Sequence, residues 1–213
     1  MFSTVQKTDS KSSFGSPIAL LTERLRRFSI DEYHKMGEVG ILAEDERIEL
    51  IDGVIRKMSP IGSEHAACVN KLNRIFSSVL PAEDATIGVQ NPIILDDGTE
   101  PEPDIALLKP RNDVYASEHP RPADVLLIVE VADTFVEDDR IVKLPRYAAA
   151  GIPEVWIVNI PDWKIEVYQI PVGTEADAGY KIRVEYRLGE TLNPEAFPNV
   201  KISVADVLPM QQT

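Results

Sequence analysis

Two apolar runs, each carrying an acid at one end, constrain this chain more than any other feature. The first reads Pro103-Asp104-Ile105-Ala106-Leu107-Leu108. The second reads Val125-Leu126-Leu127-Ile128-Val129-Glu130-Val131-Ala132-Asp133, and a charged segment follows it to Lys143. Asp104 starts one run and Glu130 lies near the end of the other. If the runs are antiparallel neighbours, the start of one lies beside the end of the other, and side-chain alternation decides whether the acids share a face. Two carboxylates at one sheet edge, with a lysine nearby, can hold a divalent cation and a phosphate, the chemistry that cuts phosphodiester bonds. Either acid alone also reads as a turn residue or a strand-end charge. Glu130 weighs against that, because an acid ending a run of Val, Leu and Ile is costly to place without a partner.

The surrounding chain reads as mixed helix and strand. Residues 1–16 are rich in Ser, Thr and Lys and read as a tail, and 18–27 as a short helix or arm with Leu20, Leu21 and Leu25 on one face. A single domain is expected over 28–208, after an arm over 1–27. Ser29 and Glu32 form a capping-box pattern for a helix ending near Gly37 or Gly40. Asp52-Gly53 between two apolar runs predicts a hairpin over 47–58. Glu49 lies on its first strand, as an edge charge or as a third carboxylate near the pair.

The clearest helix spans 63–80, with Ala66, Val69, Leu72, Ile75, Phe76 and Val79 spaced for one face and Pro81 ending it. His65 falls in its first turn, as a surface or capping group or, at a helix start, beside a phosphate. Strands are expected over 85–95, 105–109 and 125–132. A helix is expected over 138–150, with Ile141, Val142, Leu144, Tyr147 and Ala148 on its apolar side and Pro145 disturbing its start. A buried strand over 154–160, a hairpin over 164–188 and a short strand at 201–204 complete the order.

Charge bears on the function. The formal net charge is −13, so the chain as a whole does not attract nucleic acid, and a nuclease would need a local basic patch or metal ions. The single cysteine, Cys68, cannot form an internal disulfide and sits in a helical pattern, which predicts a buried core thiol and fits a reducing cytoplasm. No apolar stretch approaches the ~20 residues that span a bilayer.

The α/β (α+β) order and these residues resemble the PD-(D/E)xK nuclease superfamily. From about 28 to 208 the chain is similar to one branch, the Uma family of restriction-endonuclease-like proteins. The matching stretches are Arg47-Ile-Glu-Leu-Ile-Asp-Gly53, Met58-Ser-Pro-Ile-Gly-Ser-Glu-His65, Pro101-Glu-Pro-Asp104, Glu130-Val-Ala-Asp133, Lys143 to Tyr147 and Ala150-Gly-Ile-Pro-Glu-Val-Trp156. The resemblance implies a restriction-endonuclease-like mixed sheet flanked by helices. It implies that Asp104 and Glu130 bind magnesium or manganese, with the Val131 carbonyl as a further ligand, and that DNA is the substrate. The superfamily's lysine falls at position 132, where this chain has Ala132, and the family resemblance assigns the ammonium to Lys143 instead. Glu49 and His65 match supporting positions. The alternatives are a nuclease fold kept as a binding or assembly module without cleavage, and a nuclease acting on RNA. Cutting two strands usually calls for two sites, so a homodimer is expected.

Overall fold

The computed structural model describes residues 25–43, 45–133, 136–174 and 177–209. The expected tail over 1–16, and the 18–27 arm apart from 25–27, lie outside them.

Chain order begins with helix α1 (Ile30–Glu38). Glu32 N donates to Ser29 Oγ, and Ser29 N to Glu32 Oε2, so the predicted capping box is present. A hairpin follows, β1 (Ile48–Ile51) and β2 (Val54–Lys57). Asp52 and Gly53 turn it with φ of 50° and 70°. Gly53 is required twice over, because a Cβ there would also lie 2.6 Å from that of Arg27. The hairpin is a separate two-stranded sheet, tied to the chain ahead of Asp104 by Glu100 N donating to Leu50 O at 2.7 Å.

The main sheet has six strands in spatial order β3 (Thr86–Val89), β4 (Ile105–Leu108), β5 (Val125–Ala132), β6 (Glu154–Asn159), β7 (Lys164–Val172) and β8 (Gly179–Arg187). β5 and β6 pair parallel and the other neighbours antiparallel. Central strands covered on both faces read as continuous apolar runs, which accounts for the composition of β4, β5 and β6. A small second pair, β9 (Thr191–Leu192) with β10 (Ile202–Ser203), closes the far end.

Helix α2 (Ser63–Val79) covers one face of the sheet. Val69, Leu72 and Phe76 pack on Leu107, Leu127, Val129 and Trp156, and the Phe76 and Trp156 rings lie 6.2 Å apart. Cys68 is fully buried in this layer. Val79, expected on the apolar face, is exposed, whereas Phe76 and Leu80 on either side of it are buried in the core.

The segment behind the sheet departs from the expected single helix. One turn over Val136–Asp138 leads into a π-helical turn, Asp139–Lys143, and then helix α3 (Leu144–Ala149). Pro145 comes just after the π turn, where it has no N–H to give the preceding turn, and Arg146 Nη1 donates instead to the Ile141 and Val142 carbonyls. The wide turn adds a residue to the helical path and rotates the face. Ile141, expected on the apolar side, is 66% exposed, whereas Lys143 is only 8% exposed. Tyr147 is buried against Ile128, Ala132, Ile157 and Tyr168 of the sheet, and Ala148 beside it is buried too.

Arg140, in the same π turn, is anchored to the sheet. It donates through Nε at 3.0 Å and also through Nη2 to Glu166 of β7. The fully buried Glu166 carboxylate also accepts from Tyr168, Asn159 and Arg183 and lies 3.3 Å from Lys164 Nζ. No helix among the described residues is long and apolar enough to cross a membrane.

Candidate functional site

Strand alternation brings the two acids to one face. Ile105 pairs with Val129, so Asp104 and Glu130 each stand one residue beyond a matched pair. Ala106, Leu108, Ile128 and Ala132 belong to the layer facing α3, and Asp104 and Glu130 share their parity. Both acids line a cavity of about 140 Å³, together with Glu49, His65, Glu102, Val131 and Lys143.

The structure thus gathers every residue proposed from the sequence at one place. Glu49 arrives on β1, His65 on the first turn of α2, Asp104 just ahead of β4, Glu130 and Val131 on β5, and Lys143 at the end of the π turn. Asp104 is held by three donors. Gln90 Nε2 donates to Oδ1 at 3.0 Å, Val131 N donates to Oδ2 at 2.8 Å, and His65 Nε2 lies 3.0 Å from Oδ2. Burial alone would raise the Asp104 carboxyl, but His65, Val131 and Gln90 outweigh it and hold it below the usual range. An ionised Asp104 only accepts, so the His65 proton resides on Nε2. Nδ1 is buried and has no hydrogen-bond partner among the described residues.

Lys143 stands between the other two acids. Its Nζ is 3.1 Å from Glu49 Oε2 and 3.3 Å from Glu130 Oε1. The Glu49 contact is an ion pair without hydrogen-bond alignment, since Oε2 makes no hydrogen bond. Tyr147 Oη donates to Glu130 Oε1 at 2.6 Å. Burial pushes the Glu130 carboxyl up to about 8, against the pull of the Lys143 charge and the Tyr147 hydroxyl. Burial works against the Lys143 ammonium too, but Glu130 and Glu49 more than compensate and hold it firmly protonated. Two acids share one cation here, and Glu130 binds its own proton unusually tightly because it is buried, in spite of that cation.

The carboxylates are turned toward Lys143 and His65 rather than toward one another. Among the described residues no group of three or more His, Cys, Asp or Glu is arranged to hold a metal ion in this conformation. The donor set is nonetheless the hard-oxygen kind that suits magnesium or manganese, and the buried Glu49 Oε2 has no hydrogen bond to lose.

Two site residues escape a reading of the sequence. Gln90 reads as the middle of the strand expected over 85–95, but the strand stops at Val89, and a positive φ of 50° at Gln90, invisible in the sequence, turns its amide toward Asp104. Tyr147 reads as an apolar contact of its helix, and it is one, but its hydroxyl also reaches Glu130. A buried tyrosine usually finds a polar partner, which was the available signal.

Comparison with known proteins places this geometry. The profile of the family Uma2, described as "Putative restriction endonuclease", matches residues 30–205. Among solved structures the chain is similar to the crystal structure of "a putative nuclease belonging to DUF820" from Anabaena variabilis ATCC 29413. The TM-score is 0.64 and the identity 16%, over 84% of this chain and 97% of that one. At that identity the likeness establishes the fold, which is restriction-endonuclease-like. No curated protein matches the sequence. With most of its length matched by the family profile, and with the mixed sheet and flanking helices of that fold, the chain belongs to the Uma2 family of restriction-endonuclease-like proteins.

Proposed function

We propose that this protein is a metal-dependent endonuclease that hydrolyses phosphodiester bonds of DNA at the Asp104–Glu130–Lys143 cavity. The observation that carries the reading is the convergence of Glu49, Asp104, Glu130 and Lys143, from four separate segments, on one cavity. Burying two acids and a lysine together is seldom the cheapest way to stabilise a fold, since apolar residues of similar volume often do as well or better.

Asp104 and Glu130 would hold the cation, with the Val131 carbonyl as a further ligand and Glu49 beside them. A divalent cation held there would supply Lewis-acid chemistry, activating a water and polarising a phosphate oxygen. The chain's own residues supply the rest. His65, Gln90 and the Val131 amide fix the Asp104 carboxylate in one orientation and keep it ionised. Tyr147 fixes Glu130. Lys143, firmly protonated, stabilises the negative charge that develops on the phosphate as the bond breaks. Its position supports the migrated-lysine reading, because Ala132 cannot supply an ammonium and Lys143 lies against Glu130 from the adjoining helical segment.

Ala132 itself favours a second reading, a nuclease fold retained for binding or assembly. Melting with added manganese separates the two. The nuclease reading expects divalent metal to raise the melting temperature of the wild type and not of Asp104→Ala. Equal stabilisation of both proteins places the metal elsewhere and removes support for the catalytic reading.

A further inference from the structure

The lining of the cavity carries both signs of charge, with Glu49, Glu102, Asp133 and Asp139 beside the cations. Asp104 and Glu130 belong to the main sheet, and Lys143 between its two carboxylates is buried. The remaining lining cations, Arg47, Arg56 and Lys57, all come from the β1–β2 hairpin. Pairing sets their directions. Glu49 lies opposite Arg56 and Ile48 opposite Lys57, and Met58 N donates to Arg47 O at 2.9 Å. Alternation therefore puts Arg47 and Arg56 on the same face as Glu49, the face turned to the cavity, while Lys57 stands exposed at the rim. Arg47 Nη1 holds Ser59 O at 2.6 Å, which fixes the guanidinium beside the loop leading to α2 and His65. Among the described residues Arg47 forms no ion pair.

Resting on the nuclease reading, we infer that the cavity-facing wall of this hairpin, through Arg47 and Arg56 with Lys57 at its rim, grips the phosphate backbone of the DNA and lays it across Asp104 and Glu130. Two guanidinium forks and an ammonium suit successive phosphates, and guanidinium is the geometry that matches phosphate oxygens best. The wall also meets the difficulty set by the chain's charge. A protein of net charge −13 can bind a polyanion only where cations are concentrated, and here three of the lining cations stand together on the hairpin, beside a Glu49 that is paired with Lys143. Because the hairpin is not part of the main sheet, it can carry this charge without burying it.

The test measures binding without cleavage. A fluorescein-labelled DNA duplex is titrated in EDTA at several salt concentrations, and its anisotropy is followed. The wall requires that Arg47→Ala/Arg56→Ala weaken binding about tenfold or more at low salt and make the slope of log affinity against log salt shallower by about 2. Arg47→Lys/Arg56→Lys keeps the charges and should keep most of the slope. Lys181→Ala, an exposed lysine on β8, should bind as the wild type does. Wild-type affinity and slope in a folded Arg47→Ala/Arg56→Ala protein overturn the wall, as does an equal loss in Lys181→Ala. If that double variant binds normally while the wild type still cleaves DNA with manganese, the wall fails and the nuclease reading stands. A wild type that neither binds nor cleaves overturns both.

Discussion

Lys143 Nζ lies 3.3 Å from Glu130 Oε1, although the two residues come from different elements and face each other only because a π-helical turn rotates Lys143 inward. An ordinary helix with the expected apolar side would bury Ile141 in that region. The extra residue of the wide turn exchanges an aliphatic side chain for a cation, and Arg140 pins the turn to the sheet through Glu166. Such turns are found disproportionately at functional sites.

Removing the cation should expose how much the two acids depend on it. Lys143→Met leaves Glu49 and Glu130 buried beside one another without compensation. Loss of about 3–5 kcal/mol in urea unfolding is expected, the range for breaking one partner out of a buried pair. A loss below about 1 kcal/mol would mean that water or rotation relieves the acids and that the contact contributes little.

Glu166 gives a pH dependence of known sign. Burial raises its carboxyl, but hydrogen bonds from Arg140, Tyr168 and Asn159, with the Arg140 charge, prevail and hold it at about 2. A folded pKa below the unfolded value of about 4.3 stabilises the protein above that value. The stabilisation is lost as pH falls from about 4.3 through 2. Glu166→Gln should be less stable than the wild type by about 2–3 kcal/mol at pH 7, with the two proteins converging only as the pH falls to about 2. A constant gap across that window would show that Glu166 acts through packing rather than charge.

Cys68 should be chemically quiet. It is fully buried, and burial pushes its thiol up to about 11, so little thiolate is present at neutral pH. Labelling by a thiol reagent should follow global unfolding. Fast labelling of the folded protein contradicts the packing of α2 on the sheet.

Much of this could be read from the chain because periodicity and position carried it. Asp104 and Glu130 share a face because strand alternation leaves no other choice once the register is fixed, and the Asp52-Gly53 turn and the Ser29 cap are local chemistry. The rest depended on tertiary events. Nothing in Asp139–Lys143 announces a π turn, so Ile141 was placed inward and Lys143 reached the site through family resemblance rather than periodicity. Gln90 depends on a positive φ that its residue type does not demand. The Arg140–Glu166 anchor joins residues whose pairing no sequence spacing specifies. Glu49 was ambiguous until the hairpin's position over the sheet edge gave it a direction.

Cleavage of supercoiled plasmid with manganese, followed for the wild type, Asp104→Ala and His65→Ala, tests the central claim most directly. The wild type should nick and linearise the plasmid. Asp104→Ala should lose about a hundredfold or more of the rate, because it removes an oxygen that would hold the cation. His65→Ala should lose about 10–100-fold, since His65 acts by orienting Asp104. Absence of cleavage by the folded, metal-supplied wild type, or cleavage by Asp104→Ala at the wild-type rate, would contradict the assignment of this cavity as a nuclease site.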